Sequence, residues 1–186
     1  MKMKILKKFL LLFFPEFCNL NRLNRLTKIF NYSKIDRDLL LAILLIDEKN
    51  SHEYFGHKYN ISSYIKDNLE LLAKNLGHLK ENKNFFTNDL EKNIYLYNKN
   101  HLINLNILNF AINTKYKFKD FSKIFNRILR SKTPKFTIDG KYLMKNGMQQ
   151  GSLIGKVLRK IEEEWIKNNF KISKERIKQI IELYSS

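Results

Sequence analysis

Apolar residues recur along this chain at intervals of three and four, and that period predicts helices almost throughout. Residues 39–45 (Leu-Leu-Leu-Ala-Ile-Leu-Leu) are apolar nearly all round, which marks a buried central helix, with Asp36 or Asp38 as its cap. Ile65, Leu69, Leu72 and Leu76 form the next stripe, opened by Ser62 or Ser63 and expected to stop at Gly77. Leu102, Leu105, Leu108 and Ile112 give another stripe, and Phe118, Phe121, Phe125, Ile128 and Leu129 a further one. Then punctuation thickens. Ser131 to Lys135, with Pro134, is a polar break, and Gly140 precedes a short apolar turn through Tyr142, Leu143 and Met144. Gly147 and Gly151 bracket a connector. Ser152 is expected to cap a helix bearing Val157, Ile161 and Trp165, and Ser173 a last one bearing Ile177, Ile180 and Ile181. Only Phe136-Thr137-Ile138 alternates as a strand would. The expectation is an all-α, irregular bundle of about nine to eleven helices, divided into residues 1–130 and 131–186.

Composition supports this reading. Six glycines and two prolines among 186 residues are few for a β-sandwich or a mononucleotide-binding α/β fold. The 35 Lys and Arg against 18 Asp and Glu leave a net charge of +17, which points to a polyanionic partner. A bias toward Lys, Asn and Ile accounts for part of that surplus. Its distribution says more: residues 115–160 hold thirteen Lys and Arg against Asp120 and Asp139, so +11 lies there. The single cysteine, Cys18, allows no intramolecular disulfide and suggests a reducing compartment, so a cytoplasmic location is expected. The basic, apolar N-terminus imitates a signal peptide, but its run ends at Pro15-Glu16 without small residues at a cleavage site. No stretch approaches the roughly 20 apolar residues of a membrane span, so no membrane partner is expected.

Several kinds of chemistry can be set aside. None of His52, His57, His78 and His101 is followed by Asp, one cysteine is too few for a Cys/His zinc site, and no glycine-rich phosphate loop or Gly-x-Ser-x-Gly elbow is present. Asp36 and Asp38 resemble a two-metal carboxylate pair. They open a leucine-rich helix instead of lying on a strand, so capping is the better account. Tyr95, Tyr97, Tyr116, Phe118 and Tyr142 lie among Lys and Asn as base-stacking groups do, although aromatics at helical spacing more often belong to a core.

Residues 134–165 carry a longer, ordered pattern: Gly140, Leu143, Met144, Gly147, Gly151, Ile154, Gly155, Leu158, Glu162 and Trp165. It resembles the C-terminal signature of class II tRNA nucleotidyltransferases and bacterial poly(A) polymerases. That signature has a Gly-Lys/Arg-Asp-Leu-Met turn, a Gly, Pro-Gly-Pro, Ile-Gly, and a helix ending in Glu-Glu-x-Trp. Upstream, Phe14-Pro15-Glu16, the leucine run at 39–45, Asn60-Ile61-Ser62-Ser63 and Ile94-Tyr95-Leu96-Tyr97 are similar to the family's neck and body more loosely. Two departures stand out. Tyr142 replaces the usual Asp, and Gln150-Gly151-Ser152 replaces Pro-Gly-Pro.

The family's catalytic head carries Gly-Ser, paired metal-binding aspartates, Arg-Arg-Asp and Glu-Asp-x-x-Arg. Arg-Arg-Asp and Glu-Asp-x-x-Arg are absent here, the one Gly-Ser, Gly151-Ser152, lies within the C-terminal pattern, and Asp36 and Asp38 open a helix. The resemblance therefore implies the RNA-binding neck, body and tail without the head, the expected product of a split or decaying gene. Such a module binds a tRNA acceptor stem or other structured RNA. It serves CCA addition or polyadenylation only with a separately encoded catalytic head, and Mg²⁺ and CTP or ATP belong to that head. No catalytic residue, metal ligand or cofactor is expected in this chain. The expected RNA contacts are Arg130, Lys132, Lys135, Lys141, Lys145, Lys156, Arg159 and Lys160. The alternatives are a non-catalytic interaction subunit, docking through the apolar run at residues 10–14, or a remnant without independent function.

Overall fold

The computed structural model describes residue 12 and residues 14–17, 19–29 and 35–185. Among these residues it is all-α, with nine α-helices and no strand. The chain divides between Ser131 and Lys132 into two compact units.

The first unit begins with a 3-10 turn, Leu20–Arg22, that leads into α1, Leu23–Leu26. The central helix α2, Arg37–Leu45, starts where predicted: Asp36 is extended and its Oδ1 accepts the Leu39 amide at 2.8 Å. Asp38 sits in the first turn against Arg37 at 3.2 Å, so the aspartate pair serves the helix start. Leu39, Ala42, Ile43, Leu44 and Leu45 of α2 are buried, with α4 and α5 packed on it, and Leu40 alone of its leucines is exposed. α3, Ser51–Lys58, lies against α4, Ser63–Glu81. Ser62 caps α4, but Gly77 does not end it, and four further residues stay helical. A lone glycine costs only about 1 kcal/mol inside a helix, and the buried Leu76 and half-buried Leu79 on either side hold the turn together.

α5, Leu90–Ile112, is the longest helix, and it breaks at Asn98 (φ 64°, ψ 164°). The Asn98 Oδ1 accepts the His101 amide at 3.0 Å, so one side chain both ends the first segment and caps the second. α6, Phe118–Arg130, returns along α5. Its Phe121, Phe125 and Ile128 are buried, with Phe110 and Phe121 5.2 Å apart between ring centres. Full burial of each such side chain contributes roughly 1.5–3 kcal/mol. The buried Asn106 is satisfied across this seam. Asn106 donates to the Phe121 carbonyl at 3.1 Å and accepts the Tyr116 hydroxyl at 2.8 Å. Burial, reinforced by Asp120, pushes the Tyr116 phenol far above its ordinary pKa and keeps it a donor.

α6 ends at Ser131, whose hydroxyl donates to the Arg127 carbonyl at 2.8 Å, and Pro134 disfavours helix at the residue before it. Residues 133–139 run without regular structure, so Phe136-Thr137-Ile138 forms no strand. In the second unit Asp139 caps α7, Gly140–Lys145, accepting the Tyr142 amide at 2.8 Å. α7 closes through Gly147 at φ +95°, with the Met148 amide bonded to the Leu143 carbonyl at 3.1 Å. α8, Leu153–Lys167, buries Val157, Ile161 and Trp165, and α9, Lys174–Ser185, buries Ile177, Ile180 and Ile181. Ser173 starts α9 as predicted, accepting the Arg176 amide at 3.1 Å. Ser152 does not act as predicted. It stands at the head of α8 with helical backbone angles, and its hydroxyl makes no capping bond.

Candidate nucleic-acid interface

Some of the chain's cations are engaged in holding it together. Arg22 donates to the Ile43 and Ile46 carbonyls at 2.8 and 2.7 Å, covering the end of α2. Arg25 covers the end of α5: its guanidinium reaches the carbonyls of Phe110 at 2.7 Å, Thr114 at 3.2 Å and Tyr116 at 2.6 Å, and lies 4.5 Å from the centre of the Phe110 ring. Lys58 pairs with Glu16 at 2.7 Å. Burial raises the Glu16 carboxyl, but the bonds from Lys58 and Tyr59 outweigh it and leave the group below its ordinary value. In the second unit Arg176 grips Glu164 with two bonds of 2.7 and 2.8 Å, joining α9 to α8.

The eight cations expected to touch RNA are placed differently. Arg130, Lys132, Lys135, Lys141, Lys145, Lys156 and Arg159 are exposed, and Lys160 is half-buried. Among the described residues none of the eight side chains enters a hydrogen bond or an ion pair within 4 Å. Lys160 contributes, after Arg176, to holding the Glu164 carboxyl low. Lys132 and Lys135 lie on the extended entry to the second unit. Lys141 and Lys145 are one turn apart on α7, and Lys156 and Lys160 one turn apart on α8, so each pair shares a helix face.

α8 opens with no side-chain cap and no acidic residue in its first turn, and Lys156 is its fourth residue. Its glutamates, Glu162 to Glu164, come in the second half. That order runs against the helix dipole, which favours anions at the start and cations at the end. An external anion at the start of α8 would meet both the dipole and Lys156.

Arg130 belongs to the first unit. It borders a shallow cleft of about 440 Å³ together with Lys123, Asn126, Arg127 and Ser131. Lys123 and Arg127 share the polar side of α6 with it at a spacing of four and then three, and Arg127 also donates to the Thr87 carbonyl at 3.1 Å. The aromatics lean toward the cores. Tyr97 and Tyr116 pack on the first unit's main cluster and Tyr142 on that of the second, while Phe118 stacks on Phe121 at 6.1 Å. Of the apolar run at residues 10–14, Leu10, Leu11 and Phe13 lie outside the described residues, as does Cys18. Leu12 is 77% exposed, whereas Phe14 is half-buried against Phe17 and Tyr59. No described helix is long and apolar enough to cross a membrane.

The turn at Gly140 takes its carboxylate acceptor from Asp139, which accepts the Tyr142 amide. No family model, no curated protein and no solved structure matches the chain.

Proposed function

We propose that this chain binds the phosphate backbone of a structured RNA of the tRNA acceptor-stem type, and that it adds no nucleotide on its own. In this reading CCA addition or polyadenylation requires a separately encoded head that brings Mg²⁺ and CTP or ATP. The observation that carries the proposal is the set of unpaired, solvent-facing cations of the second unit, Lys132, Lys135, Lys141, Lys145, Lys156 and Arg159, with the uncapped, cation-bearing start of α8 among them. Phosphates would take the place of the acidic partners those side chains lack, releasing counterions as they bind. The motif resemblance over residues 134–165 supports the choice of RNA. Because the deep major groove of A-form RNA hides its base edges, recognition follows duplex shape.

The test is fluorescence anisotropy of a labelled tRNA titrated with the protein at several salt concentrations. Binding should weaken steeply with salt. Changing Lys132, Lys141, Lys145 and Arg159 together to Ala should lower affinity by roughly ten- to a thousandfold at low salt and flatten the salt slope by a few units. A variant that binds like wild type with an unchanged slope refutes the assignment of these residues. Incorporation of CTP or ATP by the pure chain would refute the requirement for a head.

A further inference from the structure

Asp47 accepts from the Ser51 amide at 3.2 Å, the Ser51 hydroxyl at 2.8 Å and the Lys49 amide at 3.0 Å, which fixes the loop that launches α3. His52 and Glu53 follow in the first turn of α3, facing Glu70 on α4. They stand at a cleft of about 730 Å³ in the first unit. One ring nitrogen of His52 and one carboxylate oxygen each of Glu53 and Glu70 lie within 4.8 Å of one another.

The His52 imidazole faces this cluster: its side chain is only 4% exposed, and the ring's one polar contact is Nε2 to Glu70 Oε2 at 3.4 Å. That is long for a charge-assisted hydrogen bond, which runs at about 2.7–2.9 Å. It is close to the separation of two donors on a tetrahedral zinc ion, roughly 3.3–3.4 Å when each metal bond is 2.0–2.1 Å. Glu70 is 60% exposed, so an ion has a path in from solvent and room for a water in the fourth position.

We propose that His52, Glu53 and Glu70 form a binding site for a divalent transition-metal ion of the zinc type, tying α3 to α4. One imidazole and two carboxylates suit zinc, cobalt or manganese, whereas magnesium and calcium prefer all-oxygen shells. Lys49, Lys74 and Lys80 also line the cleft and oppose a cation, which keeps the affinity below that of a closed structural zinc site. The inference is independent of RNA binding.

The full chain, stripped with a chelator, is titrated with Zn²⁺ by calorimetry and with Co²⁺ by visible absorption. Stoichiometric uptake and the absorption of a low-coordinate Co²⁺ site are expected. His52→Gln and Glu70→Gln should each weaken binding at least about tenfold. His78→Gln, at an exposed histidine elsewhere on α4, should leave binding unchanged. Circular dichroism reports folding. If His52→Gln does not fold, Glu70→Gln decides, because that side chain is mostly in water. No uptake by the wild type overturns the proposal, as does uptake unchanged by Glu70→Gln, which would indicate surface binding only.

Discussion

Arg25 and Arg159 carry the same guanidinium in two settings. In the first unit Arg25 reaches three backbone carbonyls and lies over the Phe110 ring, and Arg22 and Lys58 are held in similar ways. In the second unit Arg159 and Lys156 on α8 and Lys141 and Lys145 on α7 face solvent without partners, and Arg176 is the contrasting case that grips Glu164. A net charge counts all of these alike. The comparison separates cations that finish the fold from cations that are free to meet something else, and only the second kind bears on a partner.

The largest effect expected from this division is at Arg25. Arg25→Ala strips the charged donor from the Phe110 carbonyl in the last turn of α5 and from the Thr114 and Tyr116 carbonyls in the loop that follows, so urea denaturation should show a loss of about 2–4 kcal/mol. A loss under about 0.5 kcal/mol would erase the distinction.

A middle effect concerns pH. The carboxyls of Glu16 and Glu164 lie below their ordinary values in the folded chain, Glu16 despite its burial and Glu164 chiefly through Arg176. Their contribution is complete above the unfolded carboxylate range and fades as pH falls through the lowered folded values. Thermal melts across acid pH should show that limb, and Glu16→Gln should flatten it at the cost of stability at neutral pH. An unchanged acid limb in Glu16→Gln would mean that the Lys58 pair adds nothing.

The smallest effects lie among the second unit's cations. Arg176→Ala should lower Tm by no more than about 4 °C, as fits an ion pair near the surface. Single Ala changes at Lys132, Lys141, Lys145 and Arg159 should each stay within about 0.5 kcal/mol. A larger loss at any of the four would place that side chain with Arg25, among the cations that finish the fold.

Local signals explain what the sequence made legible. The Asp36, Ser62 and Ser173 starts were readable because a cap and its amide partner lie three residues apart. The apolar stripes of α4 and α6 were readable because one face repeats. The persistence of α4 through Gly77 was not, since packing on either side outweighs a propensity near 1 kcal/mol. Ser152 shows the same limit, because a residue type that can cap need not adopt the extended backbone that capping requires. The exposure of the candidate cations followed from their places on polar faces. Which cations were already engaged did not, because Arg25 finds its partners 85 to 91 positions away.

The break at Asn98 has a consequence for how the longest helix opens. The first segment, residues 90–97, is below the roughly 12–15 residues at which an isolated helix becomes marginal in water, and the second, residues 99–112, only reaches that range. Each therefore depends on its own neighbours. Residues before Asn98 rest on Phe85 and Phe86, with Asn93 bonded to the Phe85 carbonyl, while residues after it rest on α6. Deuterium should then enter the backbone amides of α5 in two stages rather than one, with the joint at Asn98 exchanging first and the buried stretch through Leu105 to Leu108 last.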